Sequence, residues 1–267
     1  MKFNCICLAA AAGVILWACR DSFEYSPNQV FDKNTRAAIN SRNLQWLRSL
    51  PEDDTITIAF VGDSQRFYDE LDAFAQKVSA IPSMDFILLA GDISDFGLLQ
   101  EFEMVDRIMA KINRPYFGVV GNHDVLAKGD EVFARMFGPL NDSFTYSGVK
   151  FVLHNTNGKE FRNGKVPDID WLKNEMVASD SARYFVAVSH IPPFSADFDQ
   201  PLEDPYVNLF AETPGLLVSL HGHIHEFRDG YPYFDQVRYI TTHSFDKRAF
   251  VLLKISSGKL FTEIIHY

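Results

Sequence analysis

The sequence predicts an α/β protein: a four-layer α/β/β/α sandwich in which two mixed β-sheets pack face to face with helices outside. Three observations carry that prediction. Five short apolar runs each stop at a cluster of Gly, Ser or His with other polar residues. Amphipathic stretches separate the first three runs, at intervals of about one strand–helix–strand unit. From residue 144 onward the chain is mostly β-rich.

Taken in order, residues 35–50 predict a helix on the domain edge. TITIAFV (55–61) is a β-rich run ending in Gly62-Asp63-Ser64-Gln65. Residues 67–80 follow with helical spacing. FILLA (86–90) ends in Gly91-Asp92. In 98–112, Leu98, Leu99, Phe102, Val105, Met109 and Ile112 keep i, i+3, i+4 spacing, with Glu103 and Arg107 one turn apart. YFGVV (116–120) ends in Gly121-Asn122-His123-Asp124. Strands are predicted at FTY (144–146) and 149–155. A helix is predicted over 168–179, opened by Asp168 after Pro167. YFVAV (184–188) ends in Ser189-His190, and LLVSL (216–220) ends in His221-Gly222-His223-Ile224-His225. YPYF (231–234), 237–243, 250–255 and the C-terminal KLFTEIIHY complete the strands. Between them, 191–214 is the one long irregular stretch. It has five prolines and the aromatics Phe194, Phe198, Tyr206 and Phe210. Two readings stand for it: a functional segment along a crevice, or an ordered surface loop with a short helix near 205–211. Parallel strands joined by crossovers open their carboxyl ends on one edge, so the polar run-ends converge on one crevice.

Of the 267 residues 47% are hydrophobic, enough for a substantial core. The 25 basic and 35 acidic residues give a net charge of −10, which argues against a nucleic-acid partner, since phosphate backbones are tracked by Lys and Arg. Cys5, Cys7 and Cys19 are too few for a disulfide framework or a thiolate zinc cluster. At the N-terminus one base, Lys2, precedes an apolar run over 6–18. At ~1.5 Å per residue the run reaches ~20 Å, short of the ~30 Å hydrocarbon core, as in a secretory signal. Its end, Leu16-Trp17-Ala18-Cys19, resembles the bacterial lipoprotein box. That implies a signal peptide over 1–18, a lipid on the Cys19 thiol, a tether over 19–34, and an exported domain over 35–267 held to a membrane of the cell envelope. A plain signal peptide with an incidental Cys is the competing reading.

Asp63, Asp92, Asn122, His190, His223 and His225 offer oxygens and imidazoles, a donor set for divalent metals. Each alone has a plainer reading: an Asp after a strand caps helices, and a core His is often only hydrogen-bonded. Six such residues plus His123 at five run-ends make coincidence improbable. Other chemistries lack their residues. There is no G-x-S-x-G elbow, P-loop or G-x-G-x-x-G, and His225-Glu226 meets Asp229 where a zincin has its second His.

G-D-x-x-D at 91–95, G-N-H-D at 121–124, His190 before prolines, and G-H-x-H at 222–225 resemble, in that order, the motifs of the calcineurin-like metallophosphoesterases. The resemblance implies two divalent ions (Mn, Fe, Zn or Mg). Asp63, Asp92 and His225 would hold one; Asp92, Asn122, His190 and His223 would hold the second. It implies attack of metal-bound hydroxide on a phosphomonoester or phosphodiester, His123 protonating the leaving oxygen. Asp124 is expected to orient His123, and Asp95 to be structural. Where the family has D-x-H this chain has Asp63-Ser64-Gln65, so Gln65 is expected to ligate through its carbonyl oxygen, with weaker occupancy or a preference for Mn²⁺ or Mg²⁺ at the first ion's position. The acidic surface favours a small phosphoester or a phospholipid-like or envelope substrate. An envelope-anchored binding protein of the same fold and a nuclease are the rival readings. His221 and His243 have no assigned role, and His154 reads as structural.

Overall fold

The computed structural model describes residues 29, 31–161, 165–179 and 181–267. The predicted signal peptide, Cys19 and most of the tether lie outside these residues. Sheet one is ordered β11-β10-β1-β2-β3, formed by β1 (Thr55–Val61), β2 (Phe86–Leu89), β3 (Tyr116–Gly118), β10 (Ala249–Ser256) and β11 (Lys259–His266). β1, β2 and β3 are parallel neighbours; β10 and β11 add antiparallel pairs. Sheet two is ordered β4-β5-β6-β7-β9-β8, formed by β4 (Asp142–Tyr146), β5 (Val149–Leu153), β6 (Tyr184–Val188), β7 (Leu216–His221), β8 (Arg228–Gly230) and β9 (Tyr239–Thr241). Its middle four strands are parallel, and β4 and β8 close it in antiparallel fashion. Both sheets are mixed.

Strand alternation builds the layers. Ile58 and Phe60 of β1, with Phe86 and Leu88 of β2, face sheet two and meet Phe151, Val186, Val188 and Leu220. Ala59, Val61, Ile87 and Leu89 point the other way. They pack under α2 (Tyr68–Ser79), α3 (Leu99–Met109) and α4 (Gly129–Met136) through Leu71, Phe74, Phe102, Val105, Phe133 and Met136. On the far face of sheet two, Phe185 and Ala187 pack under α6 (Ile169–Glu175) and α7 (Gln200–Ala211) through Leu172, Tyr206 and Phe210. Three cores between four layers give the predicted sandwich. The one-turn helix α5 (Gly158–Phe161) follows β5.

Helix α1 (Ile39–Leu47) lies on the free edge of β3. The Asn40 side chain accepts from the Gly118 N–H and donates to the Gly118 carbonyl, both at 3.1 Å, and Asn43 donates to the Tyr116 carbonyl at 2.6 Å. These amides take the place of a missing neighbour strand and close an otherwise unpaired edge. The stretch predicted as a tether is fastened from Gln29 onward: the Arg135 guanidinium sits 4.0 Å from the Phe31 ring centroid, and Arg36 pairs with Asp106 at 2.7 Å.

Two expectations are corrected. YPYF is a turn, not a strand, with Phe234 wholly exposed. The helix expected near 205–211 begins at Gln200, with Pro201 in its first turn where no intrahelical donor is needed. Of the aromatics of 191–214, Phe198, Tyr206 and Phe210 are fully buried in the outer core, and Phe194 is partly buried against it.

Candidate metal centre

The parallel strands of both sheets end on one rim. β1 delivers Asp63 and Gln65, β2 delivers Asp92, β3 delivers Asn122 and His123, β6 delivers His190, and β7 delivers His223 and His225. Four of these, Asp63, Asp92, His223 and His225, hold positive φ of 49–67°. L-residues adopt that region at a cost of about 1–3 kcal/mol each, a strain that clusters at functional sites. Glycines let the loops close. A Cβ on Gly121 would stand 2.1 Å from the Asp92 nitrogen, and one on Gly222 would stand 2.7 Å from the Ala90 carbonyl oxygen.

The side chains then meet. Ligand atoms of Asp63, Asp92 and His190 all lie within 4.8 Å of one another. His190 Nε2 is 3.2 Å from Asp92 Oδ2 and 3.0 Å from Asn122 Oδ1. His223 Nδ1 is 3.1 Å from the same Asn122 oxygen, and His225 Nε2 is 3.2 Å from Asp63 Oδ1. The His223 N–H donates to both Asp63 oxygens, at 3.1 and 3.2 Å.

This arrangement fits divalent metal on four counts. The Asp63 and Asp92 carboxylates are buried, and their ion-pair partners among the described residues are imidazoles, not Lys or Arg. Two buried negative charges without a fixed cation call for one. His190 Nδ1 donates to the Ala90 carbonyl at 2.6 Å, which commits that nitrogen and turns Nε2 toward the carboxylates, the usual arrangement of a ligating His. His223 likewise gives Nε2 to Asp197 Oδ2 at 3.1 Å and keeps Nδ1 for the crevice. Gln65 Oε1 is buried and has no hydrogen-bond partner among the described residues, as a ligand oxygen would be.

The titration behaviour agrees. Burial opposes a charge on His190, yet Asp92 and Asp63 outweigh it and push the imidazole well above its ordinary range. Burial and the His190 charge lower His223, whereas the hydrogen bond to Asp63 raises His225. On balance the rim thus favours positive charge on His190 and His225 but not on His223.

One expected contact is different. Asp124 does not orient His123. It is fully buried and accepts from the N–H groups of Ile93 (3.1 Å), Ser94 (2.7 Å) and Gly121 (2.8 Å) and from the Ser94 hydroxyl (2.8 Å). Four donors occupy the carboxylate, which ties the β2 and β3 loops together. His123 is set by other groups: its N–H donates to Asp92 Oδ1 at 2.9 Å, and its Nδ1 donates to the Asp95 carbonyl at 2.9 Å. Asp95 is itself held by the Tyr68 hydroxyl at 3.1 Å. Sequence reasoning missed Asp197, which also pairs with Lys159 at 3.3 Å. The length of segment 191–214 was the available signal. The unassigned His221 sits neutral between Ser189 (3.0 Å) and Ser219 (2.8 Å), its basicity suppressed by burial.

A family model described as calcineurin-like phosphoesterase matches residues 56–227. A 3',5'-cyclic-nucleotide phosphodiesterase of Nostoc sp. is 27% identical over 156 residues, 55% of this chain and 58% of the relative. The match thus spans little more than half the length of that relative. Among solved structures, a dimetal phosphatase from Danio rerio (12% identity, 80% of this chain and 100% of that one, TM-score 0.60) shares the fold. So does a purple acid phosphatase from yellow lupin, Lupinus luteus (12%, 80% and 52%, TM-score 0.62). GAP50, the anchor in the inner membrane complex of Plasmodium, shares it as well (15%, 80% and 85%, TM-score 0.59). With the family model covering well over half the chain, and its motifs gathered on one rim, the protein belongs to the calcineurin-like phosphoesterase family.

Proposed function

We propose that the protein is a metal-dependent phosphoesterase working with two divalent ions, one held by Asp63, Gln65, Asp92 and His225, the other by Asp92, Asn122, His190 and His223. The observation that carries this is the way the two inner imidazoles are held. His190 and His223 each commit their outer nitrogen to a protein oxygen and turn the other to Asn122 Oδ1. Ions there supply an activated water near neutral pH and charge for the phosphoryl oxygens.

The chain's own residues do the rest. His123 gives Nδ1–H to the Asp95 carbonyl, which leaves Nε2 to carry a proton to the leaving oxygen. The Asp92 carboxylate fixes the His123 backbone by accepting its N–H, so the proton donor and the metal side of the crevice move as one body. We assign a small phosphoester as substrate, phosphodiesters first, in line with the activity named for the Nostoc relative. The acidic chain repels long polyanions such as DNA over the ~8 Å screening length. The lipoprotein box supports a lipid anchor at Cys19 and an envelope location.

Turnover of bis-p-nitrophenyl phosphate, p-nitrophenyl phosphate and single-stranded DNA, with Mn²⁺ and with chelator, tests the reading. Diester turnover that needs Mn²⁺, with little on DNA, is the expected result. His123→Ala should cut kcat by roughly 10²–10⁴. A second reading, a phosphate-binding protein without turnover, is favoured by Gln65 alone. Metal uptake with no hydrolysis of any ester would establish it.

A further inference from the structure

Two loops beside His123 carry partly exposed apolar side chains. Phe96, four residues after Asp92, is 52% exposed, and Leu126, three residues after His123, is 43% exposed. The loops are pressed together, since a Cβ on Gly97 would lie 2.1 Å from the Leu126 carbonyl oxygen. They are also braced. Glu101 accepts from the Phe96 and Leu98 N–H groups, at 2.9 and 3.1 Å. Arg66, Lys128 and the acidic Glu131 are exposed in the segments that follow β1 and β3.

The first described residue, Gln29, is fastened at this spot. The Gln29 amide donates to the carbonyls of Gly97 (2.9 Å) and Ala127 (3.0 Å) and accepts from the Leu99 N–H at 2.8 Å. Both ends of one side chain thus clasp the loops that bear Phe96 and Leu126. Gln29 follows Cys19 by ten positions, a reach of at most ~35 Å. A compact domain of this size is roughly 45 Å across, so a lipid at Cys19 cannot leave the opposite end of the fold on the membrane.

We propose that the β2 and β3 loops are a membrane-docking face: Phe96 and Leu126 enter the headgroup boundary, and the His123 crevice is held against the bilayer, where lipid phosphoesters are its substrates. The inference rests on the anchor and phosphoesterase readings above. Exposed apolar side chains on two adjacent, braced loops within reach of a lipid-bearing tether are what an interfacial contact needs.

The test uses the full-length chain in vesicles of phosphatidylethanolamine and phosphatidylglycerol. Flotation comes first, because a chain that does not float with the vesicles overturns the anchor and this inference together. Phe96→Cys and, as control, Phe234→Cys on the turn after β8 are then nitroxide-labelled, with the unsubstituted chain as background. The label at 96 should be more accessible to oxygen than to a water-soluble nickel chelate, and the label at 234 the reverse. A floating chain whose label at 96 stays in water, or at 234 enters lipid, overturns the docking face alone. Phe96→Ser combined with Leu126→Ser should lower turnover of vesicle phosphatidylglycerol by about tenfold and that of bis-p-nitrophenyl phosphate by less than about twofold. Equal losses on both, or no turnover of the lipid ester by the parent chain, overturn the lipid substrate. No turnover of p-nitrophenyl phosphate or its diester by the parent overturns the phosphoesterase reading itself.

Discussion

Asp197 shows how little separates a surface carboxylate from a positioning group. It stands 57% exposed on the 191–199 stretch, yet one oxygen meets His223 Nε2 and the other meets Lys159. Its partner nitrogen is the one His223 does not turn to the crevice, so the carboxylate decides which tautomer His223 presents. Asp197→Ala should weaken Mn²⁺ binding, read by calorimetry, by roughly 10–100-fold. Asp197→Asn still accepts the same hydrogen bond through its carbonyl, so it should recover most of that affinity. Equal binding by the alanine variant would remove the positioning role. Gln65 poses the opposite case, an oxygen where an imidazole is the family pattern. Gln65→His should slow metal loss to a chelator and shift preference from Mn²⁺ toward Zn²⁺. Unchanged retention and selectivity, measured by metal analysis after timed chelation, would show that position 65 is not a ligand.

At the scale of elements, the β3 edge depends on side chains from a helix distant in sequence. Asn40 is buried and serves both backbone groups of Gly118. Asn40→Leu leaves that N–H and carbonyl without partners, and should cost about 2–4 kcal/mol, seen as a lower urea midpoint at unchanged slope. A loss below about 0.5 kcal/mol would mean that water or backbone movement replaces the amide. This edge cover also marks where sequence reading stops. β1 and β6 were legible to the residue because they are apolar runs buried on both faces. Helix α4 was not, since its short Gly129–Met136 run buries only Val132, Phe133 and Met136 besides its first glycine. β8 was missed because Arg228–Gly230 has no apolar alternation and owes its strand form to pairing with β9. The same division holds at the rim. Motif spacing places Asp63, Asp92, Asn122, His123, His190, His223 and His225 at strand ends. The partners of Asp124 and of His223 depend on how loops from different strands approach each other, which no local pattern encodes.

For the whole molecule, the layering decides where charge is tolerated and therefore how stability follows pH. Between the sheets the core is aromatic, Phe86 meeting Phe117 and Phe151 edge-on at 5.4 and 5.2 Å, and Phe144 stacking on Phe117 at 4.3 Å. Under α7, by contrast, the fold buries an imidazole. His154 lies 2.9 Å from the Tyr206 hydroxyl through Nε2 and 3.2 Å from the Val152 carbonyl through Nδ1. Burial lowers it to about 4, the Val152 carbonyl opposing only in part. In the unfolded chain the same ring takes up its proton near pH 6.5. Between those values the unfolded state binds the extra proton. The His154 contribution is therefore intact above pH 6.5 and drains away as pH falls toward 4, by about 2–3 kcal/mol at pH 4.5. His154→Phe keeps the volume and removes the titration. Urea unfolding at pH 7 and pH 4.5, with chelator present so that metal does not contribute, should show the wild type losing about 2 kcal/mol more than the variant. His221 is buried and neutral, and charge on His154 opposes charge on it, so the difference reports the His154–His221 pair rather than His154 alone. Parallel losses in the two proteins would mean that His154 is protonated in place, with water or a rotated Tyr206 hydroxyl receiving the charge.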